Sequence, residues 1–230
     1  MKTEFIISTR ELAYLKGEKL SNGDLFTLSR GGGIVFNRND WLVELSKSKK
    51  ILHMGCADHI ELIKKKRSQG TYLHDLLVRN ASHVVGLDTN SEALEAMKEL
   101  GIDDLYLIHD FDCQQEFDFL FVPDVIEHVA NVGEFLHELK KYKVNRWVFT
   151  TPNSYRLINR TQFRSELINT DHRYWFSPYT LAKCLYENGY EIESFILTDN
   201  LSWRRPISSF LKYKYPLCRD GLAVVAYPVE

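Results

Sequence analysis

The chain has 230 residues, 44% of them hydrophobic, and its 29 basic and 31 acidic residues leave a net charge of −2. This size and apolar content suit one α/β domain with a sizeable core, and the near-neutral charge does not indicate a nucleic acid or a membrane surface as partner. Cys56, Cys113, Cys184 and Cys218 are too scattered for a zinc site or a disulfide framework, and no apolar run approaches the ~20 residues needed for membrane insertion. We therefore expect a single cytoplasmic domain over residues 1–230.

Residues 1–49 are predicted to form an N-terminal cap segment in front of a core at 50–230. The segment ELAYLKGEKL indicates a short helix that Gly17 interrupts, and a second helix is expected through Trp41, Leu42 and Leu45. The run Gly31–Gly33 lacks both a leading strand and a following GK[ST], so a flexible turn or lid is favoured over a phosphate loop. We expect this segment to lie over a ligand site.

The stretch from Lys50 to Asn90 reads as a strand, a turn, a helix and a second strand. The apolar residues at 51, 52 and 54 predict a buried strand, followed by a turn at 55–58. The basic run 61–70 is interpreted as a solvated face or loop, and 71–80 as a helix. The strand at 83–87 ends on Asp88, and an acid in that position can accept both hydroxyl groups of a ribose.

Further strands and helices alternate along the rest of the chain. Asn90 or Ser91 is expected to cap a helix that ends at Gly101, and strands are predicted at 105–108, 117–122 and 147–150. Ser177 with Pro178 indicates another helix start. Two last strands are predicted at 190–197 and 221–227, joined by a long loop rich in basic and aromatic residues. This alternation predicts a mainly parallel, doubly wound α/β sheet.

Four sequence blocks carry a family resemblance, in order over about residues 50–197. They are HMGCADH, VVGLDTN, FDFLFVPDVIEHV, and VFTTPN followed by DHRYWFSPYTLAKCLYENGYEIESF. With these blocks the chain resembles the class I S-adenosylmethionine-dependent methyltransferases. The resemblance implies a Rossmann-like sheet of seven strands with the last strand antiparallel. It also implies S-adenosylmethionine at the carboxyl edge of the first four strands, with S-adenosylhomocysteine as the product.

The resemblance also assigns cofactor-binding residues. It places the methionine part over the turn, the ribose on the acid after the second strand, the adenine after the third strand, and the sulfonium after the fourth. In that order the residues are Gly55, Cys56 and Ala57; Asp88 and Thr89; Asp110 and Phe111; and Pro123 and Asp124. The chain departs from the family where glycine is common, at Ala57 and His59. We expect a negative φ at Ala57, and His59 beyond the part of the turn that faces the ligand.

His128 and His172 are the candidate catalytic residues. His128 lies in DVIEHV, expected one helical turn past the fourth strand, and histidine changes its charge near neutral pH, as a general base requires. Its alternative role is to brace that helix through Glu127. His172 follows the fifth strand, where the family often borders the acceptor, and a structural hydrogen bond is its alternative. His74 is interpreted as a surface histidine.

The predicted activity is methylation of a hydroxyl group on a small molecule or glycan. The preference for a glycan rests on the resemblance to proteins that accompany surface-polysaccharide synthesis. The aromatic and basic loop 203–219 favours an anionic carrier such as a nucleotide-linked sugar, or a solvated lid, over nucleic acid. One alternative is a catalytically silent scaffold module, which is favoured by the loss of glycines from the turn at Ala57 and His59. Another is a nicotinamide-dependent oxidoreductase, which is disfavoured because G-x-G-x-x-G is absent. An oligomer is compatible with the sequence.

Overall fold

The computed structural model describes residues 4–30, 37–111, 114–160, 168–199 and 206–229. The predicted turn at Gly31–Gly33 and the residues Trp203–Arg205 lie outside these ranges. Within them, nine strands form one sheet in the order β2-β1-β8-β9-β7-β6-β3-β4-β5. The strands are β1 Glu4–Ile6, β2 Ser29–Arg30, β3 Lys50–Met54, β4 His83–Asp88, β5 Leu105–Leu107, β6 Phe117–Pro123, β7 Val144–Pro152, β8 Tyr190–Thr198 and β9 Gly221–Pro228.

The seven strands from β3 to β9 confirm the predicted doubly wound sheet. The neighbours from β5 through β4, β3 and β6 to β7 are all parallel, and β9 is antiparallel to both β7 and β8. The N-terminal strands β1 and β2 extend the sheet beyond β8 in antiparallel pairing, which the sequence did not predict. Because five neighbouring strands are parallel, their carboxyl ends share one edge of the sheet.

Helices cover both faces of the sheet. They are α1 Thr9–Leu15, α2 Arg38–Ser46, α3 Ile60–Ser68, α4 Leu73–Asn80, α5 Ser91–Glu99, α6 Val132–Leu139, α7 Leu157–Arg160, α8 Pro178–Glu187 and α9 Pro206–Lys214. One apolar layer joins α6 and α8 to the sheet, and a second joins α2 and α4 to its other face. None of the helices in the described ranges is long and apolar enough to span a membrane.

Local sequence signals fix several helix ends as predicted. The Asn90 side chain accepts a hydrogen bond from the Ala93 N–H at the start of α5, and Gly101 follows the helix with φ +79°. Ser177 and Thr180 form a reciprocal capping box around Pro178 at the first turn of α8. These signals fix both ends of α5 and the start of α8.

The basic run at 61–70 forms the predicted solvated face, on a helix rather than in a loop, since α3 spans Ile60–Ser68 and its buried residue is Ile63. The prediction of a long loop before β9 was wrong, because that segment contains α9. Within α9, Lys212 forms ion pairs with Asp199 at 2.9 Å and Asp220 at 2.6 Å. The Lys212 charge is therefore already neutralised by carboxylates rather than free for an anionic ligand.

Candidate active site

The turn after β3 needs glycine at position 55. Gly55 has φ +69°, and a Cβ atom there would collide with the side chain of Val125. The N–H groups of Gly55 and Cys56 both donate to the Leu87 carbonyl oxygen, at 2.8 and 3.2 Å. The turn is thereby fastened to β4, and it leaves no side chain at its tightest point.

We predict that Gly55→Ala destabilises the protein by about 2–5 kcal/mol. The change combines a left-handed backbone, which costs an L-residue roughly 1–2 kcal/mol, with overpacking against Val125, which typically costs about 1–3 kcal/mol. Gly101→Ala is the matched control, because φ is +79° there but no atom lies within 4 Å of the added Cβ. Urea unfolding should separate the two variants, and equal losses would contradict the predicted collision.

The Asp88 side chain forms hydrogen bonds both to the turn after β3 and to the turn after β4. Its Oδ2 atom accepts a hydrogen bond from the Ala57 N–H at 2.9 Å, and its Oδ1 atom accepts one from the Asn90 N–H at 3.0 Å. Ala57 is not among the residues with positive φ, as expected, and His59 is exposed. A carboxylate offers about four lone-pair sites, so Asp88 retains acceptor capacity for a ligand.

A cavity of about 790 Å³ opens at the carboxyl ends of β3, β4 and β6. Seven of the nine predicted cofactor residues line it: Gly55, Cys56, Ala57, Asp88, Thr89, Pro123 and Asp124. The other two, Asp110 and Phe111, are not among the lining residues. The Asp110 side chain is 65% exposed, and the Phe111 ring packs against Tyr142, a lining residue, with ring centroids 6.2 Å apart.

The N-terminal segment contributes residues that the sequence did not indicate. Arg38 and Asn39 at the start of α2 line the cavity, and Arg38 forms an ion pair with Asp124. Asp124 has φ +51°, donates its N–H to the Thr150 carbonyl at 2.9 Å and accepts from the Thr150 hydroxyl at 3.1 Å. Nothing in the sequence around Arg38 signals this contact, because it arises only when α2 packs beside the sheet.

Two buried histidines, His53 and His74, line the cavity. The Nδ1 atoms of His53 and His74 are 3.0 Å apart, so one ring donates and the other accepts. The interpretation of His74 as a surface residue was wrong, since its side chain is fully buried between α4 and β3. Burial lowers the pKa of His74 to about 4 and lowers the pKa of His53 well below its ordinary value.

This histidine pair predicts a loss of stability in mild acid. Because the folded pKa lies below the unfolded one, the contribution is complete above the ordinary value of 6.5 and is lost as the pH falls towards about 4. His74 alone should account for about 3 kcal/mol of that loss, at about 1.4 kcal/mol per pKa unit. Urea unfolding at several pH values should show it, and the double variant His53→Leu with His74→Leu should remove most of it. An equal loss in that variant would contradict the assignment.

The structure brings the two candidate catalytic histidines together. Their rings meet edge to face with centroids 4.8 Å apart, and His128 lines the cavity. His128 lies in a turn rather than on a helix, because its N–H bonds to the Val125 carbonyl and α6 begins only at Val132. The predicted helical placement was therefore wrong, although the position past the end of β6 is as expected.

Backbone contacts explain why His172 reaches His128. The carbonyl oxygen of Glu127 accepts hydrogen bonds from the N–H groups of Arg173 at 2.8 Å and Tyr174 at 3.2 Å. The Nδ1 atom of His128 donates to the Asp171 carbonyl oxygen at 2.8 Å. This bond fixes the neutral tautomer with its proton on Nδ1, and it leaves Nε2 with a free lone pair.

Glu127 is the residue of this cluster that the sequence identified only as a brace. Its side chain is 1% exposed, and neither carboxyl oxygen has a well-aligned hydrogen bond to any residue in the described ranges. Burial, and then the charge of Asp124, raises the pKa of Glu127 to about 8, and the nearby Thr151 hydroxyl, which is not aligned for a hydrogen bond, opposes this only in part. Burial and the neighbouring His128 lower the pKa of His172. Both residues therefore favour their neutral forms near pH 7.

The predicted aromatic cluster divides between packing and the site. Phe176 is buried in the core, and Tyr174 donates its hydroxyl to the Ala130 carbonyl at 2.9 Å. Trp175 packs on His172 with centroids 4.9 Å apart and lies under the Arg156 guanidinium, 4.8 Å from the ring centre. Trp175 is thus the aromatic residue that supports the histidine cluster.

A cavity at the carboxyl edge of this sheet, with an acid after the second of its seven core strands, is the arrangement of the Rossmann-like class I methyltransferases. A family model described as a methyltransferase domain matches residues 37–194. The chain belongs to that family, whose cofactor is S-adenosylmethionine. None of the curated proteins matches the chain.

Solved structures share the fold at low sequence identity. An S-adenosylmethionine-dependent methyltransferase from Mesorhizobium loti is 15% identical with a TM-score of 0.53, over 82% of this chain and 97% of that one. A putative one from Listeria monocytogenes is 13% identical with a TM-score of 0.52, over 84% and 97%. The [4+2]-cyclase SpnF is 14% identical with a TM-score of 0.51, over 84% and 80%. At such identities the likeness shows the fold alone.

The residues present fit the family's cofactor. The cavity lies within the roughly 300–1,000 Å³ of small-molecule sites. Gly55 keeps the turn free of a side chain where a ligand would approach, and Asp88 supplies a carboxylate suited to a ribose diol. Cys56 is buried, and burial raises the pKa of its thiol, so the thiol stays protonated. Cys56 therefore contributes a neutral side chain to the cavity lining.

Proposed function

We propose that the protein is an S-adenosylmethionine-dependent methyltransferase that methylates a hydroxyl oxygen of a small molecule or glycan. The observation that carries the proposal is the position of His128 on the wall of the cavity, with its Nδ1 proton engaged by Asp171 and its Nε2 lone pair free. Family membership supports the cofactor, and this imidazole supports an acceptor that must lose a proton.

The chain's own residues would hold the cofactor at the sheet edge. Gly55, Cys56 and Ala57 would lie under the methionine part, Asp88 would accept the ribose hydroxyls with Thr89 beside it, and Pro123 with Asp124 would flank the sulfonium. All seven residues line the cavity. Asp110 and Phe111 remain the proposed border of the adenine. When bound, S-adenosylmethionine would supply an electrophilic methyl group on its sulfonium, from which the neutral thioether of S-adenosylhomocysteine is a good leaving group. The protein therefore has to contribute orientation and removal of a proton.

His128 is proposed to accept the hydroxyl proton on Nε2. The Asp171 carbonyl holds the ring in the tautomer that this role requires. His172 packs edge to face on this ring, and Trp175 in turn packs on His172, so His172 acts as a positioning residue rather than as a second base. Loss of this proton to His128 makes the acceptor's hydroxyl oxygen a stronger nucleophile.

An acceptor screen tests the oxygen preference. The purified protein is incubated with S-adenosylmethionine and with free sugars, nucleotide-linked sugars and phenols, and with a matched set of primary amines. The expected result is S-adenosylhomocysteine formation with at least one hydroxyl compound and a product heavier by one CH₂ group. Turnover with amines alone would overturn the oxygen assignment.

The cytoplasmic location and a part in surface-polysaccharide synthesis stay predictions.

A further inference from the structure

The cluster formed by Glu127, His128 and His172 has unused ligand atoms. One such atom from each residue lies within 4.8 Å of the other two. Both carboxyl oxygens of Glu127 and the Nδ1 atom of His172 are buried and have no well-aligned hydrogen bond within the described ranges. A buried polar atom left unpaired costs about 1–3 kcal/mol, so three such atoms at one point call for an explanation.

We propose that Glu127, His128 and His172 form a binding site for one divalent transition-metal ion at the wall of the cavity. The proposal rests on the converging ligand atoms and on the bond between His128 Nδ1 and the Asp171 carbonyl. Metal-binding histidines typically donate their second ring N–H to a backbone carbonyl or carboxylate, which orients the ligating nitrogen. His128 has that arrangement, with Nε2 4.0 Å from Glu127 Oε1.

The ligand set selects the class of ion. Two imidazole nitrogens and one carboxylate suit Zn²⁺ and similar transition metals, and three protein ligands leave a position open for another oxygen ligand. Mg²⁺ and Ca²⁺ prefer oxygen ligands throughout. A tetrahedral ion with bonds of about 2.0–2.1 Å separates its ligand atoms by roughly 3.4 Å. Binding of the ion therefore requires the three ligand atoms to approach one another by about 1.4 Å at most.

Use of this ion in catalysis rests on the proposed function. Because His128 lines the cavity, the open position of the ion faces the space proposed for the acceptor. An ion there binds the acceptor's hydroxyl oxygen and lowers the pKa of that hydroxyl, whose proton passes to solvent water. In the ion-free protein His128 Nε2 takes the proton, and in the ion-bound protein the same imidazole becomes a ligand.

Metal binding is measured on the full chain after chelator treatment, by titration with Zn²⁺ in competition with a chromophoric chelator. The wild type should bind one equivalent, and excess Mg²⁺ should not displace it. Loss of a residue that only hydrogen-bonds to a metal ligand typically lowers metal affinity by about 10–100-fold. Glu127→Gln and His172→Asn each remove a proposed direct ligand, so each should weaken Zn²⁺ binding by about 100-fold or more. Co²⁺ in place of Zn²⁺ should give a visible absorption band that both variants lose.

His137→Asn is the matched control, since His137 is exposed on α6 and outside the cavity lining. It should bind Zn²⁺ as the wild type does. S-adenosylhomocysteine affinity, measured on the same samples, reports folding and should stay within about twofold in every variant. His172→Asn lies in a partly exposed loop and keeps the test decisive if Glu127→Gln unfolds. No Zn²⁺ binding by the wild type, or unchanged binding by both variants, would overturn the metal site while leaving the proposed methyl transfer standing.

Discussion

Replacing His128 with asparagine is expected to lower the rate of methyl transfer by about 10²–10⁴-fold, the usual contribution of a general base. Asparagine retains an N–H that can donate to the Asp171 carbonyl, so the turn after β6 should survive. It offers no basic nitrogen in place of Nε2. The cofactor contacts assigned to Gly55 and Asp88 lie on other elements, so S-adenosylhomocysteine affinity should remain within about twofold.

Two outcomes would contradict this assignment in different ways. Full activity of His128→Asn on an acceptor that the wild type methylates would exclude His128 from activation of the hydroxyl group. Loss of S-adenosylhomocysteine binding with the fold intact would instead make His128 a structural residue of the cofactor site. His137→Asn provides the comparison for a histidine on the surface of α6, and its turnover should equal that of the wild type.

Asp88→Ala is expected to weaken S-adenosylhomocysteine binding by about 100-fold or more. Two hydrogen bonds to a charged group contribute about 1.5–3 kcal/mol each, and every 1.4 kcal/mol corresponds to tenfold in affinity. The substitution also removes the acceptor of the Ala57 and Asn90 N–H groups, so the turn at the sheet edge loses its fastening. Both effects act in the same direction.

Asp103→Ala is the control for the loss of one acidic charge, because Asp103 is exposed in the turn between α5 and β5. Its affinity should match the wild type. Thermal unfolding of both variants separates a loss of binding from a loss of folding. An Asp88→Ala protein that is folded and binds S-adenosylhomocysteine within about threefold of the wild type would contradict the ribose assignment.

The sheet could be predicted because its signals are local or periodic. The apolar run of β6, the cap at Asn90 with Gly101, and the pair Ser177-Pro178 each specify an element without distant contacts. The segment of α3 was predicted only as a solvated face or loop, because six of its nine residues are polar or charged and Ile63 is its buried residue. The strands β1 and β2 were missed because three- and two-residue strands carry no period of their own and form by pairing with β8.

The residues that follow directly on the ends of β3 and β4 could be predicted, whereas the contacts between distant segments around the cavity could not. Gly55 and Asp88 follow directly from the ends of β3 and β4, where parallel strands share an edge. The contact between Glu127 and His172 joins positions 45 residues apart, through backbone bonds of a loop that has no periodic pattern. The Arg38–Asp124 ion pair likewise depends on how α2 packs. Tertiary contacts of this kind leave no sequence signal in a single chain.

Titration calorimetry of the wild-type protein with S-adenosylmethionine and S-adenosylhomocysteine tests the central claim most directly. The cavity bounded by Gly55, Asp88 and Asp124 predicts binding of one molecule of each with micromolar affinity. That result would establish the cofactor site and justify the acceptor screen. A folded sample that binds neither compound would contradict the proposed methyltransferase and point to a catalytically silent module with this fold.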